Sequence, residues 1–178
     1  AGLTVRGTLF LIVGPSGAGK DSLIAGAREQ LQTGFLFPRR AITRPEGSAG
    51  EDHIAISRAD FERREQDGAF ALSWRAHGLC YGIPIEIETA LAAGTNVVVN
   101  VSRDVIDVAR SKFAPVRVIE VTASPDVLGA RLRARGRESQ AEIAERLQPP
   151  RYVAADAVVV NDGALETAVA AFVALLRG

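Results

Sequence analysis

Apolar and polar positions along this chain follow two alternating rhythms. Continuous apolar runs, of the kind needed by a strand buried on both faces, occur at Thr8 to Val13, Asn96 to Val101, Val116 to Val121 and Ala157 to Val160. Helical stretches fall between and after them. They run from about Lys20 to Gln32, from Pro84 to about Ala93 with Gly94 as the stop, and from a Ser102 cap to about Lys112. Two more run from a Ser124-Pro125 cap to about Arg135, and from Leu165 to Leu176. Their caps, N-terminal prolines and C-terminal glycines are the usual boundary signals. Strands alternating with helices predict an α/β fold, with a parallel sheet covered on both faces.

Shorter strand candidates lie at Pro38–Thr43, Ile54–Ile56, Phe70–Trp74 and Leu79–Tyr81, and Ser57 with Asp60 reads as a helix start. No repeat or linker divides the chain, so 1–178 is read as one domain. Its core is assigned to 1–35, 83–130 and 152–178. Two segments leave the rhythm: an excursion over about 36–82 and an arginine-rich piece over about 131–151. Such excursions from a rigid α/β core are where ligand loops and lids lie.

The first apolar run ends in Gly14-Pro15-Ser16-Gly17-Ala18-Gly19-Lys20, and a helix follows. This is the Gly-x-x-x-x-Gly-Lys pattern in the strand–turn–helix context it requires. Glycines let backbone N–H groups point inward, the helix N-terminus adds positive potential, and the lysine reaches the outer phosphates. A nucleoside triphosphate is therefore expected, with ATP first among them. The Ser or Thr that normally follows the lysine is replaced by Asp21, with Ser22 next. Asp21 either serves as a hard oxygen ligand for the Mg²⁺ that accompanies the triphosphate, or favours the helix N-terminus by its charge and leaves the metal to Ser22 or water.

Charge sharpens this picture. Lys+Arg and Asp+Glu are both 21, giving a net charge of zero. That balance argues against a general nucleic-acid or membrane-surface binder and makes any anion site a local cluster. The single cysteine, Cys80, excludes an intrachain disulfide and a cysteine-based metal cage. No run reaches transmembrane length, so a soluble cytoplasmic protein is expected. Of the 21 basic residues only Lys20 and Lys112 are lysines, which marks Lys20 as chosen rather than incidental.

Two arginine constellations remain. Arg131 and Arg135 share a helix face; Arg137 follows Gly136, and Arg146 lies on the next helical stretch, ahead of Pro149-Pro150. Cations on a closing lid are what phosphoryl transfer needs, so these four are the catalytic candidates beside Lys20. The other constellation is Arg39-Arg40 with Thr43-Arg44-Pro45, His53 and Tyr81, all in the excursion. Arg40, Arg44, His53 and Tyr81 suit a phosphorylated acceptor.

The loop Gly14 to Lys20, Thr43-Arg44, Tyr81-Gly82, Arg131-Leu132-x-x-Arg135-Gly136, Arg146-Leu147 and Val160-Asn161-Asp162-Gly163 occur in the order found in guanylate kinases, which the chain resembles over nearly its whole length. The resemblance implies a P-loop nucleoside-monophosphate-kinase-like fold, three-layered around a central parallel sheet, with a substrate-binding excursion and an arginine-rich lid. It also implies that Asn161 borders the nucleotide and that Ser73 and Asn100 border the acceptor. Several family features are altered. The acceptor loop is shortened to Pro45-Glu46-Gly47-Ser48-Ala49-Gly50. The phosphate-binding tyrosine is His53, the guanine-reading glutamate before Trp74 is Ser73, and the carboxylates at the third core strand are replaced by Asn100-Val101-Ser102.

These departures resemble the ribose 1,5-bisphosphate phosphokinase branch. Gly17-x-Gly19-Lys20-Asp21-Ser22-Leu23, Ile42-Thr43-Arg44-Pro45, Asp52-His53-Ile54-Ala55, Ala71-Leu72-Ser73-Trp74, Gly78-Leu79-x-Tyr81-Gly82 and Arg135-Gly136-Arg137-Glu138 carry that similarity. It implies ATP-dependent conversion of ribose 1,5-bisphosphate to 5-phosphoribosyl 1-diphosphate, in phosphonate use. A nucleoside-monophosphate kinase and a non-catalytic guanylate-kinase-like module are the alternatives.

Overall fold

The structure is a computed structural model that describes residues 5–45, 52–136, 138–147 and 154–178. In chain order its elements are β1 (Leu9–Val13), α1 (Lys20–Gln30), β2 (Phe35–Leu36), β3 (Ala41–Ile42), β4 (Ile54–Ala55), α2 (Arg58–Gln66), β5 (Phe70–Ala76) and β6 (Leu79–Pro84). Then come α3 (Ile87–Ala92), β7 (Asn96–Asn100), α4 (Ile106–Lys112), β8 (Val116–Thr122), α5 (Pro125–Arg135), α6 (Gln140–Arg146), β9 (Ala157–Val160) and α7 (Leu165–Arg177). The chain forms two compact units, residues 1–11 with 32–117 and residues 12–31 with 118–178, and changes unit inside β1. The larger sheet has the order β2-β7-β1-β8-β9, with β2–β7 and β8–β9 parallel, so the α/β expectation holds. Among the described residues no helix is long and apolar enough to cross a membrane.

In the first unit the excursion forms a sheet of its own, ordered β4-β3-β6-β5. It is mixed: β3–β4 is parallel, while β3–β6 and β5–β6 are antiparallel. Helix α2 begins as its sequence signals, with the Ser57 hydroxyl accepting from the Asp60 N–H. It buries Phe61 against Phe70, ring centroids 4.8 Å apart. Two expectations are corrected here. Pro84 does not open a helix; it ends β6, opposite Phe70, and α3 starts only at Ile87. A proline at a strand end gives up no ladder bond, so either reading suits its missing N–H. Ser102 caps a short 3-10 turn, Arg103–Val105, before α4 rather than one continuous helix.

In the second unit, α7 buries Ala168, Val169, Phe172, Val173 and Leu176, the stripe of an amphipathic helix. It packs on α1, where a Cβ at Gly26 would lie 2.8 Å from Val169 Cγ2, so the bare helix face is what permits the approach. Helix α5 has Ser124 as its cap, Pro125 in its first turn and the left-handed Gly136 as its stop. The expected cover on both sheet faces fails at β9: Val158 and Val160 are 54% and 61% exposed.

Candidate functional site

The phosphate loop lies wholly in the second unit, and its shape is imposed by backbone contacts. Gly14 has φ +148°, and a Cβ there would meet the Val121 carbonyl at 2.0 Å. Gly19, the residue before α1, has φ +90°, and its missing Cβ leaves room for the Asn161 amide, which would sit 2.4 Å away. Only glycine tolerates both demands at once. Lys20 folds its ammonium onto the Gly14 carbonyl. Asp21 lies in the first turn of α1 and Ser22 is exposed beside it.

Other groups brace the loop from behind. The buried Asn161 donates its Nδ2 to the Ala18 carbonyl at 2.8 Å. Arg131 on α5 donates NH1 to the Gly17 and Ala18 carbonyls at 3.1 and 3.3 Å, and NH2 to the Asn161 carbonyl at 2.6 Å. Arg131 and Asn161 therefore both hydrogen-bond the loop's own carbonyls. Arg146 on α6 donates NH1 to the Ser16 hydroxyl at 2.5 Å. Arg135, at the end of α5, donates NH2 to Glu138 at 2.7 Å. Three of the expected arginines thus converge on one loop or its neighbour; Arg137, like Pro149-Pro150, lies outside the described residues.

The acceptor candidates lie in the first unit. Arg40 is buried, spreads its guanidinium over the Tyr81 ring at 5.2 Å, and donates NH1 to the Asn100 carbonyl at 3.2 Å. Tyr81 in turn stacks on Trp74, centroids 5.3 Å apart and planes 2° off parallel. His53 is buried, with Nε2 against the Arg44 carbonyl at 2.9 Å, so it braces the turn that carries Arg44. Thr43 accepts the Cys80 N–H on its hydroxyl. Glu46 to Gly50 of the shortened loop lie outside the described residues.

Ser73 stands apart from this group. Its hydroxyl donates to Glu65 Oε2 at 2.6 Å, and Arg75 holds the same carboxylate bidentately at 2.8 and 2.7 Å. On the pleat Ser73 and Arg75 share one face of β5, while Trp74, paired with Tyr81, takes the other. The Arg75 hydrogen bond is the main cause of a lowered pKa at Glu65, and reciprocally raises that of Arg75. The sequence reading gives no role to Glu65, Arg75 or Glu138. Glu138 stands in the Arg135-Gly136-Arg137-Glu138 stretch that carries the family resemblance, three residues beyond Arg135 and ahead of a capping serine; the Glu65 pairing, from a helix to a strand, leaves no such mark.

The guanylate kinase family model matches residues 6–177. The chain belongs to the guanylate kinase family. Within it, the chain is 49% identical over 175 residues to a ribose 1,5-bisphosphate phosphokinase of Chromobacterium violaceum, covering 97% of this chain and 95% of the relative. It is 52% identical over 173 residues to one from Acidiphilium cryptum, covering 96% and 92%. Among solved structures, guanylate kinase of Anaplasma phagocytophilum superposes with a TM-score of 0.67 over 98% of this chain and 87% of that one. At 19% identity this last likeness speaks for the fold alone. As a guanylate kinase family member the chain is a kinase, and its loop residues Gly14 to Lys20 have the family's strand–turn–helix setting.

Proposed function

We propose that this chain transfers the γ-phosphoryl group of ATP to the 1-phosphate of ribose 1,5-bisphosphate, giving 5-phosphoribosyl 1-diphosphate and ADP. The near-full-length identity to relatives named for that substrate carries the reading. An oxygen of the 1-phosphate attacks the γ-phosphorus; the bond from that phosphorus to the bridging oxygen breaks, and ADP leaves with the electron pair. The attacking oxygen is already anionic at neutral pH, so no general base is required. What remains is positioning and charge neutralisation. Lys20 exchanges the Gly14 carbonyl for a phosphate oxygen. Arg135 and Arg146 act on the transferring group, with Arg137 as a further candidate. Arg131 and Asn161 hold the loop in shape.

On the acceptor side, Arg40 and Arg44 meet phosphate and Tyr81 supplies a flat wall, while His53 and Asn100 hold those cations in place. A sugar bisphosphate offers no base to read. Accordingly the carboxylate beside Ser73, from Glu65, is taken up by Arg75 instead of facing a ligand.

The residues present fit Mg²⁺: Asp21, in the first turn of α1, and Ser22 beside it offer the hard oxygen donors that such an ion takes together with phosphates and water. Asp21 or Ser22 would hold it, and it would neutralise phosphate charge. Coupled ADP detection with ribose 1,5-bisphosphate, ribose 5-phosphate, GMP and AMP tests the proposal. Turnover with the bisphosphate is expected to lead by at least about a hundredfold, the size of discrimination that lost polar contacts produce. Equal or faster turnover of GMP would overturn it.

A further inference from the structure

The reaction above gives no task to Glu138, yet the second unit buries it at the meeting point of two of its arginines. Its side chain is 5% exposed. Oε1 accepts from Arg135 NH2 at 2.7 Å and lies 3.6 Å from Arg146 Nε. Arg146 continues the line through NH1 to the Ser16 hydroxyl of the phosphate loop at 2.5 Å. One carboxylate oxygen therefore links the end of α5, the end of α6 and the loop.

The other oxygen is the unusual one. Among the described residues Glu138 Oε2 is buried without a hydrogen-bond partner, and so is Arg135 Nε. A bidentate pair would use both oxygens on one guanidinium and satisfy all of these atoms. Instead the carboxylate is turned so that a single oxygen lies between two cations. A buried carboxylate with one idle oxygen is a poor way to stabilise a fold; apolar residues commonly do as well or better. Nor does it help attract a triphosphate, since it subtracts charge next to a phosphate site. What it does accomplish is geometric. Two guanidiniums drawn to one oxygen cannot splay apart under their mutual repulsion, and Arg146 is kept against Ser16.

We infer that Glu138 is a positioning residue for phosphoryl transfer, fixing Arg135 and Arg146 relative to each other and to the loop. The inference rests on the reading of those two arginines as acting on the transferring group. Its signature separates it from a structural role. Removing the charge but not the shape should loosen the arginines while making the site more positive. Transition-state stabilisation falls, and ground-state attraction for ATP does not.

The experiment is steady-state kinetics on the full chain for E138Q, R135A, R146A and the E138Q/R146A pair, with melting temperatures for each. E138Q is expected to lower kcat by about tenfold or more without raising KM for ATP, a loss smaller than deleting a direct contact. The pair should lose less than the product of the two single losses, because part of what the carboxylate does is done through the arginine already removed. Parent-like kcat in E138Q overturns the proposal. So does a raised KM for ATP, or a pair whose losses multiply. If both R135A and R146A keep parent kcat, the arginine reading itself fails and takes this inference with it; if they lose activity and E138Q does not, only the inference fails. Should E138Q not fold, E138D serves in its place: it keeps the charge but is one methylene too short to reach both cations. It should show the same kcat loss, and parent-like kcat in that variant is again decisive against the proposal.

Discussion

Arg131 reads as a cation for the transferring phosphate, while its hydrogen bonds run to carbonyls of the protein itself, which makes R131A a sharp test. The parent side chain reaches three carbonyls, those of Gly17, Ala18 and Asn161. The Ala18 carbonyl keeps a donor when Arg131 is removed, because Asn161 Nδ2 also serves it. The real loss is two bonds from a charged donor, to Gly17 and Asn161. At about 1.5 kcal/mol each, the lower end for bonds to charged groups, R131A should cost about 3 kcal/mol. For a domain of this size that is a fall in melting temperature of roughly 6–12 °C. R131K separates charge from shape: one ammonium cannot reach both bracing points, so it should recover less than half of the loss. Because a sagging loop presents its N–H groups badly, ATP affinity should drop about tenfold in both variants, on the scale of one charged hydrogen bond. At saturating ATP, kcat should stay within about threefold of the parent. Scanning fluorimetry and ATP titration by calorimetry measure the first two effects. If R131A melts within about 1 °C of the parent and binds ATP normally while kcat collapses, Arg131 touches the transferring group and its bracing role is wrong.

K20A should keep its fold and lose at least about a hundredfold in kcat, the scale of removing one electrostatic stabiliser; circular dichroism and the coupled assay check both halves. D21N should raise the Mg²⁺ concentration needed for half-maximal rate and D21S should raise it less; a D21N titration that matches the parent would make Asp21 a helix-end charge only. The Glu65–Arg75 pair sets a pH dependence. The folded pKa of Glu65 is depressed, chiefly by the Arg75 hydrogen bond, so the stability it contributes is present above the ordinary carboxylate pKa of 4.5 and is lost as pH falls through the depressed folded value. E65Q should therefore melt below the parent at pH 7 and draw level with it in acid, by a small margin because Arg75 is 47% exposed; an E65Q deficit that persists unchanged at the lowest pH would refute the pairing as its source.

How much of this was legible depended on where each determinant sits along the chain. Gly14 to Lys20 could be read because strand, turn and helix are consecutive, and one stretch of backbone makes the site. Ser57 and Ser124 could be read for the same reason: a cap acts on its own helix. The two-residue β2 could not. Phe35–Leu36 joins a sheet only because it pairs with Asn96 and Val97, and no period of two can be seen in a dipeptide. Pro84 misled because its local chemistry fits a helix start and a strand end equally, and the antiparallel pairing of β6 with β5 settled the matter. Ser73 was placed at the acceptor by position in a motif, but the pleat turns it toward Glu65, away from the stacked Trp74 and Tyr81.

The arginines show why residue type was readable and role was not. The sequence spends arginine almost everywhere and lysine at the loop, and the geometry explains the choice. Lys20 needs a compact charge on a flexible stem that can leave one oxygen for another. Arg131 must reach carbonyls at several places at once, and Arg146 must span a serine hydroxyl and a carboxylate. A planar fork with five donors does that; a lysine does not. Such a fork leaves the same mark in a sequence whether it faces a phosphate or the protein's own backbone. Only the partners distinguish them, and those partners lie 114 residues away for Arg131 and 130 for Arg146. A cluster of arginines after a phosphate loop therefore predicts phosphate chemistry for the cluster. Assigning a part to each member requires knowing which N–H groups the fold has already used.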